Sequence, residues 1–277
     1  EYALDGNRHN YPDRGLLTYF LPMKAGLCKQ WSKETDSFFC CHGTMVQANA
    51  AFNRGIYYQD ENDVFVCQYF SSEMKTEIDE AVIQIKQKQD YMSGSFLESS
   101  NTAGYQEINE ITAVHENIPD YRKYDFVINT PVPKNFSINL RIPEWIASEA
   151  AIYVNGKLHG KTTDSNAFYK VQRQWSDGDR ISIILPIGIN FVTLPDDERI
   201  VAFRYGPDVL AGICETERIL FISNDDVTSE IIMENERQWG EWRYFFKTVN
   251  QNPVIQFRRL RDIGYEPYQV YFYVKKV

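Results

Sequence analysis

Nowhere in these 277 residues is there an apolar run approaching the ~20 residues that would span a bilayer, so a membrane helix is excluded. No charged-then-apolar leader opens the sequence; it begins Glu1-Tyr2-Ala3-Leu4-Asp5-Gly6-Asn7, which reads as the tail of a helix already under way. The chain is therefore expected to be a piece of something longer, and its compartment is not legible. Basic charge is in deficit, 29 Lys and Arg against 38 Asp and Glu, for a net charge of −9 and a pI near 5.1. That balance argues against a nucleic-acid partner; the one dense basic run, Arg258-Arg259-Leu260-Arg261, reads as a solvated strand edge. Cysteine is scarce and odd in number: Cys28, Cys40, Cys41, Cys67 and Cys214. Their spacing gives no secreted disulfide framework, and neighbours such as Cys40 and Cys41 rarely bond to each other because the intervening peptide is strained. His9, His115 and His159 are scattered without ligand spacing. Internal repeats and low-complexity tracts are absent.

Aromatic residues are plentiful, 18 Tyr and 17 Phe among them, and most sit in short alternating runs of the kind that make half-buried strands. From residue 56 the pattern is strand, turn, strand. Strands are expected at 56–58, 64–70, 81–87, 108–115, 124–129, 136–142, 151–154, 168–172 and 180–185. Asp60 to Asp63 reads as a turn, and Asn155-Gly156 and Asp177-Gly178-Asp179 read as hairpin signals. Strands so spaced, with few helical patterns between them, predict a β-sandwich. A broken strand follows at 200–210, then a short helix or loop at 228–239, and strands at 242–248, 254–260 and 268–274. Before residue 56 the pattern differs. Ser37 is placed to cap a helix from about Cys40 to Arg54 that Gly55 stops, with Met45, Ala48 and Phe52 on one apolar face. The expected fold is mainly β: a β-sandwich region preceded by a short helical segment. The expected divisions are 1–55, 56–210 and 211–277, the last adding strands to the same or a second sandwich.

The most unusual chemistry lies in Ser37-Phe38-Phe39-Cys40-Cys41-His42-Gly43-Thr44. Two adjacent thiols at a helix start are placed to become thiolates, because the amide dipoles there favour negative charge, and both can reach one soft divalent ion such as Zn2+. The plainer reading is a pair of small buried hydrophobes. Cys67 and Cys214 lie in apolar strand contexts and read as core; Cys28 sits in a loop. Glu34 and Asp36 read as solvated loop carboxylates.

The run Gly15-Leu16-Leu17-Thr18-Tyr19-Phe20-Leu21-Pro22 through the cysteine pair resembles glycoside hydrolase family 127, the β-L-arabinofuranosidases and relatives once grouped as a domain of unknown function. The resemblance continues in Asn139-Leu140-Arg141-Ile142-Pro143-Glu144-Trp145, Ile152-Tyr153-Val154-Asn155-Gly156 and Trp175-Ser176-Asp177-Gly178-Asp179. It ends with Tyr205-Gly206-Pro207 and Tyr268-Gln269-Val270-Tyr271-Phe272. Each motif is ordinary alone; the ordered set is specific. What the resemblance implies is an (α/α)6 barrel holding the active site, followed by β-sandwich modules, so that residues 1–55 would be the remnant of the barrel's C-terminal end. It further implies that Cys40 is the nucleophile and touches the metal, that Cys41 is a zinc ligand, and that arabinose-containing or related plant glycans are the substrates. Tyr19 lies in the segment that lines the family's pocket and is a candidate for sugar contact, though a packed strand tyrosine is an equal reading. His42 is a candidate pocket residue more than a ligand, since side chains of consecutive residues rarely converge on one ion.

The sequence also departs from the family pattern. The other zinc ligands, a Glu and a Cys one residue apart, and the acid/base Glu would lie well upstream, and no Glu-x-Cys occurs here. Two thiolates do not complete a tetrahedral site. The chain is therefore expected to be inactive by itself. The alternative is a non-catalytic β-sandwich carbohydrate-binding or accessory module with the cysteine pair vestigial, and a purely bracing role is a third reading.

Overall fold

A computed structural model describes residues 18–33, 39–90, 121–223, 226–238 and 241–277. The strand expected at 108–115, with His115, His9, Glu34, Asp36 and Ser37, lies outside the described residues. The chain divides into two compact units, one contiguous, residues 47–188, and one assembled from 1–46 and 189–277.

The contiguous unit is the expected sandwich. Its strands are β1 (Tyr57–Asp60), β2 (Asp63–Val66), β3 (Ser72–Ile78), β4 (Ala81–Asp90) and β5 (Tyr121–Asn129), then β6 (Lys134–Ile142), β7 (Ala150–Val154), β8 (Lys157–Thr162), β9 (Ala167–Trp175) and β10 (Asp179–Pro186). They form a four-stranded sheet, β1-β2-β6-β9, and a six-stranded sheet, β3-β4-β5-β10-β7-β8, all antiparallel except β2 with β6. Period-two alternation fixes which side is buried. Val64, Val66, Phe136, Ile138, Leu140, Val171 and Trp175 from the smaller sheet meet Ile83, Ile85, Phe126, Ile128, Ile152, Ile181 and Ile183 from the larger in one core. Trp175 is fully buried, and its Nε1–H donates to Phe136 O at 3.0 Å.

Turn chemistry decides the connections. Asn155 (φ 49°) and Gly156 (φ 76°) make the β7–β8 hairpin as expected. Asp79 (φ 45°) and Glu80 (φ 64°) make the β3–β4 hairpin, a turn with no Gly or Asn to announce it. The expected hairpin at Asp177-Gly178-Asp179 is a turn of another kind. Gly178 has φ +80°, but β9 and β10 pair into different sheets, so this turn carries the chain across the sandwich.

The second unit is a nine-stranded sheet. It contains β11 (Ile189–Thr193), β12 (Ile200–Tyr205), β13 (Asp208–Ile213), β14 (Ile219–Ile222) and β15 (Ile231–Gln238), with β16 (Glu241–Thr248), β17 (Gln256–Arg259), β18 (Tyr268–Gln269) and β19 (Tyr271–Lys276). The main path runs β14-β19-β12-β13-β17-β16-β15, with β11 on β12 and β18 on β13. The sequence reading ran one sandwich to residue 210, whereas the strands at 189–213 pair into this sheet. The segment expected as a helix or loop at 228–239 is a short 3-10 turn, Val227–Glu230, capped by the Asp226 side chain, leading into β15. Strand pairing with β16 over eight residues overrides a weakly patterned polar run.

Among the described residues an α-helix, α1 (Cys40–Ala51), is continued by a 3-10 turn, Phe52–Gly55, close to the expected span. Phe52, expected on its apolar face, is 52% exposed.

Candidate active site

The cysteine pair opens α1, and the segment ahead of it is held by the nine-stranded unit. Residues 18–31 double back on themselves: Thr18 bridges Trp31, and its buried Oγ1 donates to Gln30 O at 2.9 Å. At the bend Gly26 takes φ +78°, and a Cβ there would lie 2.1 Å from Glu215 O, so only glycine fits. Gly26 N–H donates to Tyr268 O at 3.1 Å, and Tyr268 N–H to Leu27 O at 3.2 Å. Lys29 is 3% exposed, and its Nζ donates to Leu260 O at 2.6 Å. The same ammonium lies 5.7 Å from the Trp31 ring, whose Nε1–H donates to Gly264 O at 3.0 Å. Burial pulls the Lys29 ammonium down to about 8, opposed by the charges of Asp262 and Glu266.

The loop receiving these anchors is built on the basic run read from sequence as a solvated strand edge. Its arginines are instead partly buried and paired. Arg258 pairs with Glu266 at 2.6 Å, Arg259 with Asp262 at 2.5 Å, and Arg261 with the buried Asp208 at 3.3 Å. Partly buried guanidiniums need such partners, and the acids that supply them lie as far as 53 residues away in sequence.

From this anchored segment two aromatic rings, Tyr19 and Phe20, meet a third, Phe39, at the start of the helix. The Tyr19 ring stacks on Phe39 at 4.9 Å and an interplanar angle of 12°. Phe20 stands edge-on to both, at 4.7 Å from Tyr19 and 5.7 Å from Phe39. Phe39 immediately precedes Cys40, so the cluster packs directly ahead of α1. The backbone of Cys40, Cys41 and His42 forms the first turn of α1; their side chains lie outside the described residues. The equal alternatives for Tyr19 both retain support: its ring packs on Phe39 and is half-exposed.

The other described thiols are poor competitors for the chemistry. Burial raises Cys67, against the opposing charge of Arg141, and raises Cys214, against that of Arg218. Both are half-buried at strand ends, less enclosed than the core positions expected of them, and Cys28 is exposed. His159, in β8, is exposed and bonded through Nδ1 to Tyr169 Oη at 3.2 Å. Among the described residues no group of three His, Cys, Asp or Glu side chains could hold a metal.

Sequence reasoning singled out Tyr19 and the cysteine pair but gave no role to Phe20, Phe39, Lys29 and Trp31, which pack or anchor the segment ahead of α1. Phe39 was visible as the aromatic before the pair. The partner of Lys29 lies 231 residues away and left no local signal.

Residues 95–187 match the family model described as the middle domain of GH127 β-L-arabinofuranosidase. No curated protein matches. Among solved structures, a GH127 β-L-arabinofuranosidase from Geobacillus stearothermophilus T6 is similar at 16% identity and a TM-score of 0.63, over 94% of this chain and 43% of that one. A protein described as a glycoside hydrolase matches at 17% identity and 0.64, over 94% of this chain and 45% of that one. A further GH127 β-arabinofuranosidase matches at 14% and 0.61, over 94% of this chain and 42% of that one. The chain thus spans less than half the length of the solved structures it matches. The family model and the shared fold agree with the ordered motifs: residues 95–187 are similar to the middle domain of GH127 β-L-arabinofuranosidases, and the chain shares its fold with solved GH127 structures.

Proposed function

We propose that the chain is the C-terminal part of a zinc-dependent retaining glycoside hydrolase acting on β-L-arabinofuranosides in plant glycans. In this reading Cys40 is the nucleophile, Cys41 a metal ligand beside it, and Tyr19 and His42 line the sugar pocket. The observation that carries the reading is the start of α1 on the cysteine pair, behind a stacked Tyr19–Phe39 contact that is itself pinned to the nine-stranded unit. Amide dipoles at a helix start favour a thiolate, as a nucleophile attacking an anomeric carbon requires. Attack by Cys40 Sγ would form the thioglycosyl bond as the aglycone oxygen leaves, and water would then break it with net retention. The protons for those two steps, and the remaining metal ligands, are assigned to residues beyond this chain. Zinc, when bound, would keep the thiols deprotonated.

The test has two arms. The chain alone should release no nitrophenol from nitrophenyl β-L-arabinofuranoside above background, with or without added zinc. Joined behind the helical domain of a GH127 enzyme it should hydrolyse that substrate and lose the activity on Cys40→Ala. Turnover by the isolated chain would refute the dependence on outside residues, and activity surviving Cys40→Ala would refute the nucleophile.

A further inference from the structure

The outer face of the four-stranded sheet carries a side-chain pattern that neither the core nor the cysteine site uses. Register defines it. Tyr58 in β1 stands opposite Phe65 in β2, Phe65 beside Asn139 in β6, and Asn139 opposite Lys170 in β9. Their neighbours along each strand, Val64, Val66, Ile138, Leu140 and Val171, are in the core, so this row lies on the opposite face, where the shorter Asn139 is enclosed between its larger neighbours and donates to Val64 O at 3.3 Å. Phe168, two residues before Lys170 and opposite Arg141, meets Phe65 edge-on with ring centroids 5.3 Å apart.

Large aromatic side chains on an outer sheet face are normally covered or replaced by polar residues. Here Tyr58 is 57% and Phe168 44% exposed. They lie three inter-strand steps apart, about 14 Å at roughly 4.8 Å per step. Between and beside them are hydrogen-bonding groups that are already organised. Lys170 Nζ lies 3.0 Å from Asp63 Oδ1, and its hydrogen bond, with one from Ser137, holds the Asp63 carboxyl below the usual range. Arg141 is exposed, and among the described residues no carboxylate pairs with its guanidinium. Two cations, Arg141 and Lys170, are balanced on this face by Asp60 and Asp63. A surface with rings at either end, fixed donors and acceptors between them and no net charge suits a neutral polyhydroxylated chain. The apolar C–H faces of a sugar lie on aromatic rings, and its hydroxyls take bonds from carboxylate and guanidinium. A polyanion gains nothing from balanced charge.

The geometry points to this face as a glycan-binding surface of the sandwich, taking an extended neutral oligosaccharide across Tyr58, Phe65 and Phe168. The surface is independent of the proposed nucleophile; only the choice of an arabinose polymer as first probe rests on the proposed function.

Affinity electrophoresis of the 277-residue chain in gels containing arabinan, with xylan, mixed-linkage β-glucan and polygalacturonate gels in parallel, reads the binding directly. Arabinan is expected to retard the chain. Tyr58→Ala and Phe168→Ala should each weaken retardation roughly threefold to tenfold, the double variant should migrate as if no polymer were present, and Phe168→Tyr should retain binding. A second readout needs no substitution: arabino-oligosaccharide should protect Tyr58 of the native chain from nitration by tetranitromethane, located by mass spectrometry. Retardation by xylan or β-glucan but not arabinan, still dependent on Tyr58 and Phe168, would uphold the surface while counting against the arabinose assignment of the proposed function. Absence of retardation in every neutral gel, equal retardation of the double variant, unprotected Tyr58, or retardation by polygalacturonate alone would each overturn the inference.

Discussion

Lys29→Met isolates what one buried ammonium does to the segment that leads into the cysteine helix. Lys29 is almost fully enclosed, bonded to Leu260 O, and its folded-state pKa lies at about 8 against 10.5 for a free lysine. Below pH 8 both the folded and the unfolded chain hold the proton, and the folded state bears the full cost of burying a charge. Between pH 8 and 10.5 the unfolded chain holds more protons, so stability rises with pH across that window. With 1.36 kcal/mol per unit, and a discount for screening by water, wild type should gain about 2 kcal/mol relative to Lys29→Met between pH 7 and pH 10. At pH 7 the two should be nearly matched, because methionine removes the charge cost but leaves Leu260 O without its donor. The neighbouring Tyr268 hydroxyl, pushed up to about 12 mainly by burial, acts in the opposite sense above pH 10, but it is common to both proteins and cancels in their difference. Urea unfolding at pH 7, 8, 9 and 10 measures that difference. A folded-state titration of Trp31 fluorescence, whose ring lies 5.7 Å from the ammonium, should show a midpoint near pH 8 that the variant lacks. A stability difference flat with pH, or a midpoint above 10, would refute the argument.

Other perturbations test other links. Trp175→Ala removes the largest fully buried ring of the sandwich and should cost about 3–5 kcal/mol in guanidinium unfolding, with the Phe136 carbonyl left without its donor. Gly26→Ala forces a Cβ onto Glu215 O at φ +78° and should destabilise by more than about 1 kcal/mol, read as a lowered Tm. Asp208→Asn leaves Arg259 and Arg261 short of a counter-charge and should cost up to about 3 kcal/mol, with Asp208→Glu recovering part of it. Residues 47–188 expressed alone should give a strand-rich circular dichroism spectrum and a cooperative transition, because both sheets and the core between them lie within that span.

The fold was legible where alternation was strict. β4 alternates buried and exposed residues and was read directly, β6 and β10 were read from their apolar residues although both of their faces are buried over 136–140 and 181–185, and Asn155-Gly156 gave its hairpin because its backbone demands those residues. It was illegible where tertiary pairing decided. Asp79-Glu80 adopts the same positive-φ turn without the residues that signal it, so β3 went unread. Gly178 announced a turn correctly but could not say that the strands it joins belong to different sheets. The candidate site divides in the same way. Cys40 and Cys41 stood out by chemistry, and Tyr19 by its segment. Their supports did not, because Lys29 and Trp31 look like ordinary loop residues until the loop at 260–264 is placed beside them. Arg261 was misread for a related reason: its counter-charge, Asp208, lies 53 residues away in sequence, whereas the partners of Arg258 and Arg259, Glu266 and Asp262, stand close by and went unread as partners.

Chain order gives these supports a consequence. The sandwich closes within a continuous stretch, so its strands can pair as soon as residue 188 is reached. The unit carrying the cysteine pair draws on both ends of the chain: Thr18 to Trp31 is fastened by Leu260, Gly264 and Tyr268. Loop-closure entropy over more than two hundred residues must be met before those contacts contribute anything, so the segment ahead of Cys40 is ordered last. The candidate site at the start of α1 is thereby made conditional on completion of the C-terminal strands, although neither β18 nor β19 carries a cysteine. Removing β18 and β19 should consequently loosen Tyr19 and Phe39 while leaving the sandwich core intact. A truncation at residue 263 whose Tyr19–Phe39 contact survived would show that the aromatic cluster, and not the C-terminal clasp, sets the start of the helix.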